Sequence, residues 1–351
     1  MRASGARRRG TGPTGKSLRM MIGLCAAILV AAALHLAQSI VAPVAFALFL
    51  MALVWPVQRR LSAFVPAGLA MLASMLAALL TVVTLALLIT WAFGGVGQWI
   101  LTNSGQIQLL YARKIAWFEE QGIGVAALLS DGISSRWLIV IAQEVSGRLH
   151  SILAFSIVTV VFLVLGLLEV KVVDRQLQRI PGDVAPRLRQ AAIDTAVKFR
   201  SYMAVRTLMS VVTGIAVWGF ARLMGLDLAA EWGVIAFVLN YIPFIGPLIA
   251  TLFPTIFAIL QFESWQTAVV VFLCLNVIQS VSGSYIEPLL AGKRLAVSPF
   301  MVLLAVFFGG FLWGAPGAFI GVPVLIAAVT ICLQFEGGKW VAALLSGQDG
   351  D

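Results

Sequence analysis

Residues 240–254 read N-Y-I-P-F-I-G-P-L-I-A-T-L-F-P. The stretch is too apolar for a surface loop, yet Pro243, Gly246, Pro247 and Pro254 interrupt any ordinary helix. A second interruption lies at 313–323, W-G-A-P-G-A-F-I-G-V-P, and the two share an echo: F-I-G-P-L-I-A from Phe244 and F-I-G-V-P-V-L-I-A from Phe319. Paired hydrophobic segments broken by Gly and Pro point to a transport site at membrane depth.

The composition puts that stretch in lipid. Of 351 residues, 61% are hydrophobic and 11% charged, against about 25% charged in an ordinary soluble domain. No soluble core hides so much apolar surface, so the chain reads as an all-α, polytopic helical membrane protein whose first partner is the lipid bilayer. The net charge of +9 flanks the hydrophobic runs instead of covering a face, which marks membrane orientation and argues against nucleic acid as a partner. Cys25, Cys274 and Cys332 lie in apolar stretches without a neighbouring Cys or His. No metal or cofactor is therefore expected.

Upstream of the opening stretch, residues 1–19 form a basic tail read as disordered and cytoplasmic. Spans follow at 20–40 and 41–57, with no charge between them, which predicts a tight hairpin; Arg59 and Arg60 return the chain to the cytoplasm. A third span covers 67–93. The segment 94–150 carries four basic and four acidic residues, which suits the outer side; Leu138, Ile141, Val145 and Leu149 form one face of an amphipathic helix within it. A fourth span, 151–168, leads to 169–206, where eight Lys or Arg face four Asp or Glu, a cytoplasmic balance. There Pro186 opens an amphipathic helix with Leu188, Ala192, Ala196, Phe199 and Met203 on one stripe. A fifth span covers 207–224.

Charge parity then decides the centre. The fifth span ends outside, and the sixth, 267–286, precedes Glu287, Lys293 and Arg294, which read as cytoplasmic. Residues 232–260 must therefore start and end outside, as a re-entrant hairpin with its tip at Ile242–Pro247 and arms of roughly 18 Å each. Residues 299–335 form the opposed hairpin from the cytoplasmic side, with its tip at Gly314–Gly317. The expected fold is thus about six full transmembrane helices plus two opposed re-entrant hairpins, or about eight spans if the hairpins cross fully. The transmembrane domain covers 20–341, a short tail follows at 342–351, and both termini are cytoplasmic.

Catalysis lacks a constellation. His35 and His150 are far apart, and no HExxH, GxSxG, P-loop or GxGxxG occurs, so no enzyme activity is expected. The candidate pathway residues are polar or backbone-breaking. Asn276, Gln279, Ser280 and Glu287 recur along the sixth span with Gly283, a stripe that suits either a cavity wall or interhelical hydrogen bonds. Asn240 and Tyr241 precede the first tip, where Asn240 offers both a donor and an acceptor. Pro243, Gly246 and Pro247 at the first tip, and Gly314, Pro316, Gly321 and Pro323 at the second, allow unwound carbonyls to line a site, though close packing explains the glycines as simply. Arg206, at the end of the fifth span, is read as snorkelling.

The order of three motifs resembles the AI-2E transporter family, also known as the autoinducer-2 exporter or PerM-like permease family. They are L-N-Y-I-P-F-I-G-P at 239–247 with M-G-L at 224–226 and W-G at 232–233; Y-I-E-P-L-L-A-G-K-R-L at 285–295 with S-P at 298–299; and the 313–323 motif. Pro43 and Pro56 bracket the second span as they do in that family. The resemblance implies a multi-pass inner-membrane transporter, homo-oligomeric, that exports the quorum-sensing molecule autoinducer-2 or another small polar solute. A monovalent cation (sodium or lithium)/proton antiporter is the alternative, and a non-transporting membrane scaffold is the alternative from another class. This chain departs from the family pattern in its sparsely charged outer segment and in having Arg206 where a neutral polar residue is common.

Overall fold

A computed structural model describes residues 15–120, 135–179, 184–291 and 298–346. The basic tail up to residue 14, the Pro181–Gly182 turn, Lys293 and Arg294, and the tail from residue 347 lie outside them. Within them the chain is helical, with no strand. The helices are α1 (Gly15–Leu36), α2 (Gln38–Leu61), α3 (Ala67–Thr102), α4 (Ser104–Glu120), α5 (Ser135–Leu177), α6 (Val184–Leu223), α7 (Ala229–Leu239), α8 (Ile245–Phe262) and α9 (Trp265–Ser280). A π-helical turn at Val281–Ile286 joins α9 to α10 (Glu287–Ala291), and α11 (Pro299–Leu333) and α12 (Lys339–Ser346) complete the chain. Among the described residues eight helices are long and apolar enough to cross a membrane. Helices satisfy their own backbone groups, which lipid cannot do for them. The outer faces are correspondingly apolar, with Leu76, Leu80, Leu87, Val161 and Leu165 exposed.

The first hairpin closes on itself. Gln261, near the end of α8, donates from Nε2 to the Gly225 carbonyl at 2.8 Å and accepts from the Asp227 backbone N–H at 2.8 Å. Both ends of the α7–α8 hairpin therefore meet at the C-terminal end of α6. Trp232 is buried between them, with Nε1 donating to the Asp227 carbonyl at 3.1 Å and its ring edge-on to Phe257. The arms are unequal: α7 has 11 residues and α8 has 18, or roughly 16 and 27 Å, where equal arms were expected. Pro254 sits buried inside α8 without ending it. Against α6, Gly233 faces Gly214 so closely that a Cβ on either would come within 2.9 Å of the other's carbonyl oxygen. This is a small-residue crossing of the kind that holds helices together in lipid.

The second hairpin lies within α11. Trp313 (φ −136°, ψ 17°) and Gly314 (φ 65°, ψ −145°) leave the helical region, and only glycine adopts the latter conformation without strain. A Cβ on Gly321 would come within 2.5 Å of the Ala305 carbonyl oxygen, and one on Gly309 would overlap the carbonyl of Gly317. Both pairs are symmetric about residue 313, so the two arms run antiparallel in backbone contact. The turn lies at Trp313–Gly314, and Pro316 and Gly317 belong to the second arm instead of the tip.

Three other expectations change. The first two spans do not form a tight hairpin. Ala37 alone separates α1 from α2, and the ladder runs through it from Ala37 N–H to Ala33 O (2.9 Å) and from Val41 N–H to Ala37 O (2.9 Å). The chain bends there, and α1 rests on the second hairpin: Trp313 Nε1 donates to the Leu34 carbonyl at 3.1 Å, and His35 Nδ1 donates to the Leu312 carbonyl at 3.1 Å. The amphipathic segments are continuous with their spans, as 43-residue α5 and 40-residue α6. In α6 Ala196 and Phe199 of the expected stripe are buried, beside Ala191, Thr195 and Tyr202, Leu188 and Met203 are half-buried, and Ala192 alone of the stripe is exposed. The side chains of Leu138, Ile141, Val145 and Leu149 lie outside the described ones.

Candidate functional site

The two hairpins meet beside α6. At the first tip Asn240 Nδ2 donates to Ser210 Oγ at 3.3 Å, and Tyr241 OH donates to Thr207 Oγ1 at 3.0 Å. The Tyr241 ring stacks on Phe319 of the second hairpin, with centroids 5.1 Å apart. Ile242 and Ile245 pack into the core formed by Val306, Ile320, Val322 and Ile326. Between them Phe244 holds φ 64° and ψ −53°, and the Ile245 N–H bonds the Pro243 carbonyl at 2.7 Å. This is a classical γ-turn, a rare and strained conformation for a side-chain-bearing residue.

Under this tip lies a cavity of about 680 Å³. Seven of the sequence candidates line it: Asn240, Pro243, Pro247, Asn276, Gln279, Ser280 and Glu287. The polar stripe of α9 therefore faces open space, and the π-helical turn carries it through Gly283 and Ser284 to Glu287. Such turns insert one residue per helical turn and re-aim the side chains beyond them. Asn276 is turned back, with Nδ2 donating to the Phe272 carbonyl at 2.9 Å. Gln279 is different: it is 9% exposed, and its Nε2 is buried without a hydrogen-bond partner among the described residues. A buried donor left unmade costs about 1–3 kcal/mol.

The other candidates lie elsewhere. Tyr241 points to Thr207 and Phe319, away from the cavity. Gly246 packs against the Leu239 carbonyl, where a Cβ would overlap it, and Gly321 packs on Ala305. Gly314 stands at the far turn of α11 beside α1, Pro316 opens its second arm, and Pro323 is buried further along that arm. From the second hairpin Pro299 and Val302 of the first arm and Val322 and Ile326 of the second reach the cavity, and none of its Gly or Pro candidates does.

Sequence reasoning missed Arg206. It does not snorkel: its side chain is 11% exposed, and Nη1 pairs with Glu287 Oε2 at 3.0 Å, Glu287 being 23% exposed. Arg206 Nε donates to Tyr202 OH at 3.3 Å, and its guanidinium lies 5.7 Å from the centre of that ring. The pair ties α6 to α10 at the cavity wall. Its only sequence signal was a charge standing where the family resemblance implies a neutral residue.

Comparison with known proteins places the chain among its relatives. AI-2 transport protein TqsA of Escherichia coli (strain K12) is 28% identical over 341 residues, covering 94% of this chain and 96% of that protein. Putative transport protein YhhT of the same organism is 33% identical over 201 residues, 57% of this chain and 56% of that protein. A putative transport protein of Borreliella burgdorferi is 33% identical over 198 residues, 55% of each chain. The model of the AI-2E family transporter matches residues 24–337, nearly the whole chain, and this multi-pass membrane protein belongs to the AI-2E transporter family.

Proposed function

We propose that the cavity between the first hairpin tip, α6 and α9 is the solute site of a secondary transporter for a small, neutral, hydroxylated solute in the cytoplasmic membrane. The observation that carries this reading is Gln279, whose buried Nε2 lacks a partner in the wall of the cavity. A hydroxyl or carbonyl oxygen of a bound solute would satisfy it once the Gln279 amide, closed off from the cavity here, turns toward that space. AI-2, named in the description of the Escherichia coli relative, is the first solute to test, with export as the direction. Asn240 and Ser280 supply further polar groups, and the ion-paired Arg206 leaves the wall without net charge. The two hairpins, broken at Phe244 and Trp313, are the elements whose rocking would alternate access.

Exchange of sodium or lithium for protons needs a carboxylate free to take up and release a proton. Glu287 is the one carboxylate among the described residues that line the cavity, and Arg206 holds it. Flux of AI-2 and of sodium into proteoliposomes, each with and without a pH gradient, separates the readings. AI-2 uptake without sodium-dependent proton movement is the expected result. Absence of flux for both would favour a scaffold. In the same assay Gln279→Leu is expected to keep its melting temperature while AI-2 flux falls about tenfold, the equivalent of one lost hydrogen bond of about 1.4 kcal/mol. Native flux in that variant would remove Gln279 from the site.

The reading also has both hairpins entering from opposite faces, with both termini in the cytoplasm. Gln266 is the second residue of α9, just past the base of the first hairpin. With Cys25, Cys274 and Cys332 replaced by serine, Gln266→Cys is expected to react with an impermeant maleimide from outside the cell. Reaction only after the inner face is exposed would make α8 a complete span.

A further inference from the structure

A second cavity, of about 420 Å³, opens between the C-terminal end of α2 and the first half of α6. Arg60 and Trp55 line it from α2, and Arg200, Ala196 and Val197 from α6. Neither arginine has a carboxylate within ion-pair distance among the described residues. Arg200 Nε merely donates back to the Ala196 carbonyl at 3.3 Å. Asp194 is the nearest acid in sequence on α6. It is taken up by Gln190 and Gln334, at 2.8 and 3.0 Å, and does not line the cavity. Arg60, which is exposed, and Arg200 thus line one hollow with no carboxylate beside them among the described residues.

The hollow is lined by apolar residues as well, and its neighbours in the chain are apolar. Val197 in its wall is 52% exposed; Val57, one turn before Arg60, and Phe64, next to Ala63, do not line it but are 55% and 87% exposed. A soluble anion has no use for such surroundings; acyl chains do. Trp55 adds an indole, a side chain that favours the level of the lipid headgroups. The basic stretch of α6, with Arg187, Arg189 and Lys198, places this end of the bundle on the side where anionic lipid is recognised by basic pockets between helices.

We propose that this cavity binds an anionic phospholipid, its phosphodiester clamped between Arg60 and Arg200 and its first acyl carbons lying along Val57, Val197 and Phe64. Guanidinium is the group suited to such a clamp, because its fork makes paired hydrogen bonds to phosphate oxygens. The site stands apart from the solute cavity but shares α6 with it: Arg200 lies less than two turns before Arg206. A lipid seated here would hold the helix that carries one wall of the transport site.

The full-length protein in detergent tests the assignment by native mass spectrometry and thermal shift. The probes are dioleoyl phosphatidylglycerol, dioleoyl phosphatidylcholine and inorganic phosphate. The native protein is expected to retain phosphatidylglycerol and to be stabilised by it, and to do neither with phosphatidylcholine. Arg60→Gln and Arg200→Gln should each weaken phosphatidylglycerol binding about fivefold, the share of one basic residue facing an anionic headgroup. Lys198→Gln, on the same helix but outside the cavity, should leave it unchanged. Equal binding of the two lipids, or native affinity in both glutamine variants, would overturn the proposal. So would inorganic phosphate that stabilises the protein as well as the lipid does, since the hollow would then be a soluble-anion site. Where a glutamine variant does not fold, the lysine variant at the same position carries the test. It keeps the charge and loses the fork, so affinity should drop, and unchanged affinity overturns the clamp.

Discussion

Replacing Glu287 by glutamine is expected to lower the melting temperature of the detergent-purified protein by roughly 5 °C or more, and replacing Arg206 by glutamine to do the same. Each substitution leaves the other charge mostly buried in the bundle, where an uncompensated ion costs about 2–3 kcal/mol even allowing for partial exposure. The exposures of 11% and 23% and the 3.0 Å separation mark the contact as more than a surface pair, which would be worth about 0–1 kcal/mol. The double variant Arg206→Gln with Glu287→Gln removes both charges together. It is expected to recover to within about 1 kcal/mol of the native protein, because two neutral amides need no desolvation of ions. Purely additive losses in the double variant would show that the two residues act independently, and the ion pair would then not be what joins α6 to α10.

The second large effect is expected from adding one methyl group to the α11 hairpin. Gly309 and Gly310 are neighbours in sequence and opposites in environment. A Cβ on Gly309 would overlap the carbonyl of Gly317 on the returning arm, which is backbone and has nowhere to move. A Cβ on Gly310 would meet only the Ala318 methyl at 3.7 Å, an ordinary contact. Gly309→Ala should therefore push the arms apart and cost about 2–3 kcal/mol. Gly310→Ala should be neutral or stabilise by about 0.5–1 kcal/mol through helix propensity. Thermal unfolding in detergent reads both. Equal effects at the two positions would mean that the arms do not touch along the 305–321 and 309–317 pairs. The same reasoning moves Gly246 from the solute pathway to the framework. Its missing side chain makes room for the Leu239 carbonyl at the neck of the first hairpin, so loss of transport in Gly246→Leu would come through the fold.

The small-residue contacts also explain why the glycines were hard to read from sequence. Gly246, Gly314 and Gly321 look alike in an apolar chain, and each suits a binding carbonyl, a turn or a close crossing. The structure separates them: Gly314 alone takes a backbone conformation that other residues avoid, and the other two are packing contacts. The prolines divide in the same way. Pro243 and Pro247 face the cavity, whereas Pro323 is buried in the second arm of α11.

The amino-acid sequence by itself determined the class of protein and its rough plan. Apolar runs long enough to cross lipid, with charges gathered between them, admit no other solution than a helical bundle, because every backbone group in lipid must bond within its own helix. The polar stripe from Asn276 to Glu287 was legible for a related reason: polar side chains are costly in a span unless something faces them. Only the tertiary structure decided what that stripe faces. The pairing of Arg206 with Glu287 spans 81 positions in the chain, and no local pattern encodes which helix brings a counter-charge to a carboxylate. Nor does one reveal that the span boundaries at 40 and 206 both lie inside continuous helices, the break between α1 and α2 falling at Ala37, since backbone hydrogen bonds pass through charged and apolar residues alike. Local periodicity sets which residues avoid water, and packing between distant helices sets which of them meet.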